Sequence, residues 1–131
     1  MKIISPLFIT IPRKTKKDRK VYINLNTYRN LHYLVEGMSK KIYCELMVEQ
    51  LKGVVLHPPI EITFTLFKGS NRKIDRSNIL SITEKYFCDA LVHYGAIPDD
   101  NDLFIKATHY KTGGIDPKNG RVEIIIKETK L

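Results

Sequence analysis

The sequence predicts one α+β domain over residues 1–131, with elements in the order β-α-β-α-β-β. A mixed or antiparallel sheet carries two helices packed on it. Three observations predict this. Ile60-Glu61-Ile62-Thr63-Phe64-Thr65-Leu66-Phe67 alternates apolar and polar residues as a half-buried strand does. Two longer segments instead repeat apolar residues every three or four positions, the period of a helix face. Finally, the strand-like and helix-like segments are interspersed, with no repeat or low-complexity stretch between them.

Each element follows from local chemistry. Ile3 to Ile11 is rich in β-branched residues and reads as a strand ending at Pro12. Arg13 to Lys20 has no apolar period and reads as a solvated loop. Asn26 offers a cap for the first helix, with Tyr28, Leu31, Leu34, Met38, Ile42, Leu46 and Met47 as its apolar face and Gly53 as its end. Pro58-Pro59 blocks continuation before the strand that starts at Ile60. After the turn at Gly69-Ser70-Asn71, a second helix begins near Ser77. Its inner face is Ile79, Ile82, Tyr86, Phe87, Ala90, Leu91 and Tyr94, and Gly95 ends it. Leu103–Tyr110 and Arg121–Lys127 read as two further strands, and Gly113-Gly114 to Gly120 as a long hairpin loop between them.

The 131 residues are 43% hydrophobic and 27% charged, the balance of a folded globular domain large enough to bury a core. No run of about 18 apolar residues is present, so no membrane-spanning helix is expected. The apolar stretch after Met1 is too short for a signal peptide. Cys44 and Cys88 sit in apolar helical patterns without a second ligand nearby, which points to reduced thiols and the cytoplasm. The four histidines share no spacing that would make a ligand set.

The net charge is +8, from 22 Lys and Arg against 14 Asp and Glu. Charge of that sign favours a polyanion, foremost nucleic acid. Its distribution strengthens the point. Arg13, Lys14, Lys16, Lys17, Arg19 and Lys20 fall within eight residues, and Lys68, Arg72, Lys73 and Arg76 crowd the approach to Asp75. With Lys111 and the lysine and arginine of the Gly-rich segment, Lys118 and Arg121, they are the candidate DNA-backbone contacts.

Against that basic background stand two acidic groups, Asp75 with Asn78 before the second helix and Asp99 with Asp100 after it. Oxygen ligands without His or Cys suit Mg²⁺ or Mn²⁺, not zinc. Bringing the two groups together requires the chain after Pro98 to run back along the helix. The same residues also read as ordinary helix-start and turn chemistry, with Asp89 bonded to a neighbouring basic or backbone group.

The string Asp75-x-x-Asn78, then Lys85-Tyr86-Phe87-Cys88-Asp89-Ala90-Leu91, then Gly95-Ala96-Ile97-Pro98-Asp99-Asp100 resembles the core motif of the RusA family of Holliday junction resolvases. That pattern runs Asp-Leu-Asp-Asn, a Lys, Asp-Ala-Leu, a Gly and a terminal Asp-Asp. The resemblance covers Lys73 to Asn101 most closely. It implies a Mg²⁺-dependent homodimeric endonuclease that cuts four-way DNA junctions, with Asp75 and Asp100 catalytic and Asp75, Asn78, Asp99 and Asp100 as metal ligands. Two departures matter. Ser77 stands where the pattern has its second Asp, and the stretch from Asn78 to Asp89 is about four residues longer, roughly one helical turn. Counted back from Asp-Ala-Leu, the catalytic Lys falls on Lys85; counted forward from Asn78, it falls on Ser81. Lys85 is the expected residue, and Lys73 or Arg76 replaces it if Lys85 does not reach. The alternative is a non-catalytic branched-DNA-binding protein of the same fold, its metal site degenerate at Ser77.

Overall fold

The computed structural model describes residues 1–129. It contains β1 (Lys2–Ser5), β2 (Phe8–Ile11), β3 (Arg19–Tyr22), α1 (Leu25–Asn30), α2 (Tyr33–Leu46), α3 (Val48–Leu51), β4 (Ile60–Lys68), α4 (Arg76–His93), β5 (Ile105–Ile115) and β6 (Arg121–Glu128). The α+β class and the mixed sheet are as the sequence predicts. Four strands form the main sheet in the order β1-β6-β4-β5, and β2 pairs with β3 in a separate two-stranded ribbon. Among the described residues there are four helices where the sequence predicts two.

β4 is central because both its edges are paired. Ile60, Ile62, Phe64 and Leu66 are buried on one face, which is the alternation its sequence shows. Its neighbour β6 is antiparallel and its neighbour β5 is parallel. A parallel pair cannot be joined by a tight turn, so α4 carries the chain from the end of β4 back to the start of β5. Gly95, at φ +74°, ends the helix in the left-handed region that costs glycine nothing. Phe87 meets Phe64 edge-on across the helix–sheet contact, with centroids 6.0 Å apart.

Several predicted elements are corrected. Ile3 to Ile11 is two strands in two different sheets, split at Pro6-Leu7. Arg19 and Lys20 belong to β3, so the basic loop proper spans residues 12–18. The long first helix is three pieces. Asn24, not Asn26, caps α1 by accepting from the Thr27 N–H at 2.8 Å. Extended backbone at Leu31 and His32 then breaks the helix, and the His32 ring caps α2. The break resets the helical phase, so α2 turns Ser39 and Tyr43 inward. Leu34, Met38 and Leu46, expected in the core, remain 62%, 49% and 55% exposed. The Gly-rich segment is not a hairpin loop. Gly113 and Gly114 lie inside β5, and the connection to β6 passes over the end of β4, which sits between the two strands.

That crossing is tight. A Cβ on Gly120 would come within 2.9 Å of the Gly69 backbone and of Leu7, so a side chain there meets main chain that cannot yield. Gly37, exposed on α2, has open space around it. Gly120→Ala is expected to lower stability by about 1–3 kcal/mol, and Gly37→Ala to raise it by about 1 kcal/mol. Urea unfolding followed by circular dichroism checks both, and the opposite signs separate crowding from helix propensity.

Candidate nucleic-acid interface

The chain between β4 and α4 leaves the sheet at the carboxyl end of β4, where α/β crossovers commonly form ligand crevices. Lys68, Lys73, Ile74, Asp75 and Asn78 line an open depression of about 550 Å³ there. Asp75 occupies the N-cap position of α4 but makes no side-chain cap bond. Its carboxylate is exposed and uncommitted; the Asn78 N–H already donates to the Asp75 carbonyl at 3.0 Å, which leaves the Arg76 and Ser77 amides of the first turn for an anion. Asn78 is committed: its Oδ1 accepts from the Leu25 N–H at 3.3 Å, tying the first turn of α4 to α1. Arg76 points toward β5, its guanidinium 3.5 Å from Thr112 Oγ1.

The basic residues gather at this same edge. Leu7, at the base of the β2–β3 ribbon, packs against Gly120, and Asn78 holds the start of α1 that follows the ribbon. The ribbon therefore rises beside the depression. It carries Arg13, Lys14, Lys16 and Lys17 in its loop and Arg19 and Lys20 on β3, all exposed. Arg72, Lys73 and Arg76 are exposed as well; Lys111 is exposed too, but it lies between Tyr110 and Thr112, which meet Glu84 and Arg76 of α4, so it faces away from that helix. Arg13 closes the loop on itself by donating to the Lys17 carbonyl at 2.7 Å. Arg121, grouped with them by its charge, is taken instead. It pairs with Asp116 at 2.9 Å and Glu123 at 2.7 Å and lies over the Phe67 ring.

Asp99 and Asp100 lie at the other end of α4. Because β5 runs parallel to β4, the loop entering β5 is at the opposite edge of the sheet from the loop leaving β4. The chain after Pro98 does return along the helix, but the two aspartates precede that return. Asp99 is spent on its own turn, accepting from the Asp100 N–H at 2.8 Å and from Asn101 at 3.1 Å. The Asp100 carboxylate is exposed and its charge is felt at Cys88. Cys88 sits roughly 20 Å along the helix axis from Asp75, so one cation cannot bridge Asp75 and Asp100 within a single chain. Among the described residues no group of three or more His, Cys, Asp or Glu side chains could hold a metal. Asp75 alone, with Asn78 engaged and Ser77 beside it, does not make a Mg²⁺ site, so the residues of one chain do not fit that ion.

Lys85 is also remote. It lies about 15 Å along α4 from Asp75, with its ammonium 5.9 Å from the Tyr28 ring of α1. Ser81, the other position the motif count allows, buries a hydroxyl that has no hydrogen-bond partner. Lys73 and Arg76 are the cations beside Asp75. Asp89 pairs with Lys40 of α2 at 3.7 Å, the bond to a neighbouring basic group that its sequence context allows.

No protein-family model matches the chain, and no curated protein does either. The likeness to the RusA pattern therefore rests on the residue blocks themselves.

The far half of α4 is acidic around a buried thiol. Burial first, then the charges of Glu84, Asp100 and Asp89, push Cys88 up to about 12 from 9.0. Burial likewise raises Tyr86 to about 12 from 10.0, and Tyr43 and Tyr110 rise by the same cause. These groups hold their protons in the fold and release them earlier when unfolded. Stability is therefore undiminished below pH 9 and falls as pH rises above it, the Cys88 and Tyr86 contributions being lost entirely past about pH 12. The urea midpoint measured against pH should decline from pH 9 upward, and Cys88→Ala should delay the onset toward pH 10.

Proposed function

We propose that the protein is a RusA-like endodeoxyribonuclease, acting on four-way DNA junctions as a homodimer with Mg²⁺ or Mn²⁺ as cofactor. The observation that carries this reading is Asp75. It is an uncommitted carboxylate at a helix N-terminus, set in a rim of Lys68, Arg72, Lys73 and Arg76, within the segment whose blocks match the RusA pattern. The helix dipole favours a carboxylate at this position, and without a cap bond that carboxylate stays free to act on what binds in the rim.

The chain's own residues do the binding and positioning. The ribbon loop, Arg72, Lys73 and Arg76 hold the DNA backbone by charge. The α4 amides and Lys73 or Arg76 receive the scissile phosphate beside Asp75. No hydrolytic step follows within one chain, because Asp100 is too far away. A two-fold axis would solve this by setting the Asp75 end of one chain against the Asp100 end of its partner, twice over. That number also matches the two cuts a junction needs. The exposed α2 ridge of Leu34, Met38 and Leu46 suits such a contact better than the free edge of β5, which is interrupted by bulges and carries lysines. Two free thiols, Cys44 and Cys88, support a reduced compartment, and we assign the protein to the cytoplasm. No helix among the described residues is long and apolar enough to cross a membrane.

The second reading, a branched-DNA-binding module without catalysis, is favoured by Ser77 and by the lack of a ligand cluster within the chain. One experiment separates them. A labelled four-way junction is incubated in Mg²⁺, Mn²⁺ or Ca²⁺ with wild-type protein, Asp75→Asn, Asp100→Asn, and a differentially tagged heterodimer of the two variants. Wild type should make paired nicks, and each variant alone should lose at least about 100-fold in rate. The heterodimer should regain single nicks, since one of its two shared sites is intact. Tight junction binding with no cleavage in either Mg²⁺ or Mn²⁺ would leave the binding module. A heterodimer as inactive as its parents would place the site within one chain and overturn the shared arrangement.

A further inference from the structure

The β2–β3 ribbon carries an aromatic pad that the proposed cleavage chemistry does not use. Its inner face is closed, with Ile9, Ile11, Val21 and Ile23 buried. On the outer face Phe8 stands directly opposite Tyr22 in the strand register, 38% and 48% exposed. Their centroids are 5.7 Å apart and the rings are tilted by 56°. The Lys20 ammonium lies 3.9 Å from the Phe8 centroid and 5.2 Å from that of Tyr22. Beyond the pad the strands run into the basic loop, which carries Arg13, Lys14, Lys16 and Lys17.

We propose that this face binds single-stranded DNA, with Phe8 and Tyr22 stacking an unpaired base while Lys20 and the loop hold the flanking phosphates. Every base offers a π-face, so the contact is sequence-tolerant. The charge of the loop complements the phosphates on either side of a stacked base. The proposal rests on the nuclease reading for its biological setting, since a branch point is where unpaired nucleotides occur beside duplex. The binding chemistry itself is independent of cleavage.

Two other roles for the pad are weaker. A cross-strand aromatic pair stabilises a ribbon, but four buried aliphatic side chains already anchor this one to the body. A basic segment with exposed rings also suits an anionic membrane surface. Here the loop tip, Pro12-Arg13-Lys14-Thr15-Lys16-Lys17-Asp18, has no large apolar residue to insert, and the rings lie along the strands below it.

The test uses the full chain in EDTA. Fluorescence anisotropy compares labelled oligothymidine with an abasic oligonucleotide of the same length and charge. Wild type should bind oligothymidine at least about 5-fold more tightly than the abasic strand. Phe8→Ala/Tyr22→Ala should erase that gap and leave abasic affinity unchanged, while Lys16→Ala/Lys17→Ala should weaken both equally. Tyr22→Trp keeps the ring in place. As the chain has no tryptophan, its emission should be quenched by oligothymidine and not by the abasic strand.

Equal affinity of wild type for the two strands, or a gap that survives in the double alanine variant, would overturn the proposal. So would a bound oligothymidine that leaves the Tyr22→Trp emission unchanged. Loss of binding to phosphatidylglycerol vesicles in the double variant, with oligonucleotide binding intact, would assign the pad to membranes. Junction cleavage without a stacking gap would sink the pad and spare the nuclease. A gap without cleavage would sink the nuclease and spare the pad.

Discussion

The parallel pairing of β4 with β5 governs the rest of the molecule. A parallel neighbour has to be reached by a crossover, and here the crossover is α4, about 27 Å of helix laid across the sheet. The loop that leaves β4 and the loop that enters β5 must then lie at opposite edges. Asp75 goes to one edge and Asp99-Asp100 to the other as a consequence of topology, whatever the side chains would prefer. The antiparallel neighbour β6 adds a second constraint, because the chain leaving β5 has to pass over the end of β4 to reach it. The close approach of Gly69 and Gly120 is where that passage happens. It fixes the exit of β4, and with it the approach to Asp75.

The same topology sorts charge. At the Asp75 edge, the β2–β3 ribbon and the loop after β4 bring their lysines and arginines together. At the far half of α4, Glu84, Asp89 and Asp100 surround Cys88 closely enough to raise its pKa. A polyanion meets an attractive edge and a repulsive one, so the field alone orients it across the ribbon and the start of α4. Asp75 is the exception inside the attractive edge. Asn78, which the motif count pairs with it, instead holds α1 and thereby the base of the ribbon. Its structural role is to set the ribbon beside the depression.

How much of this could be read from the sequence depends on the range of the interaction. β4 and α4 were legible because their signals are local: strict alternation from Ile60, and Gly95 just past a periodic apolar face. The split between β1 and β2 was hidden because Ile3, Ser5, Ile9 and Ile11 keep one parity across the break, and only Pro6 hinted at it. β3 buries a single residue, Val21, too little for a pattern. The helix break at Leu31-His32 has neither Gly nor Pro, so periodicity alone places Leu34, Met38 and Leu46 in a core they do not enter. The direction of β5 is a long-range property, which no local pattern encodes. That is why the acidic residues were recognisable one by one while their separation was not. The exposed pair of Phe8 and Tyr22 has no local signature for a related reason: the two residues meet only through the ribbon's register.

The longer helix sharpens the case for a site shared between chains under the proposed reading. Relative to the RusA-like pattern, about four residues are added between Asn78 and Asp89. They lengthen α4 by roughly 6 Å while rotating its far end by only about 40°. The faces of the helix stay aligned, but the distance from Asp75 to Asp100 grows. An insertion that preserved an intrachain site would have to shorten this path, and this one does the opposite. If a partner chain supplies the missing carboxylate, the added length need only shift where two symmetric copies meet, and both sites move together by symmetry. Lys85 fits the same logic. It was carried away from Asp75 by the added turn and rests by the Tyr28 ring, leaving Lys73 and Arg76, which precede the insertion and did not move, as the cations beside the phosphate.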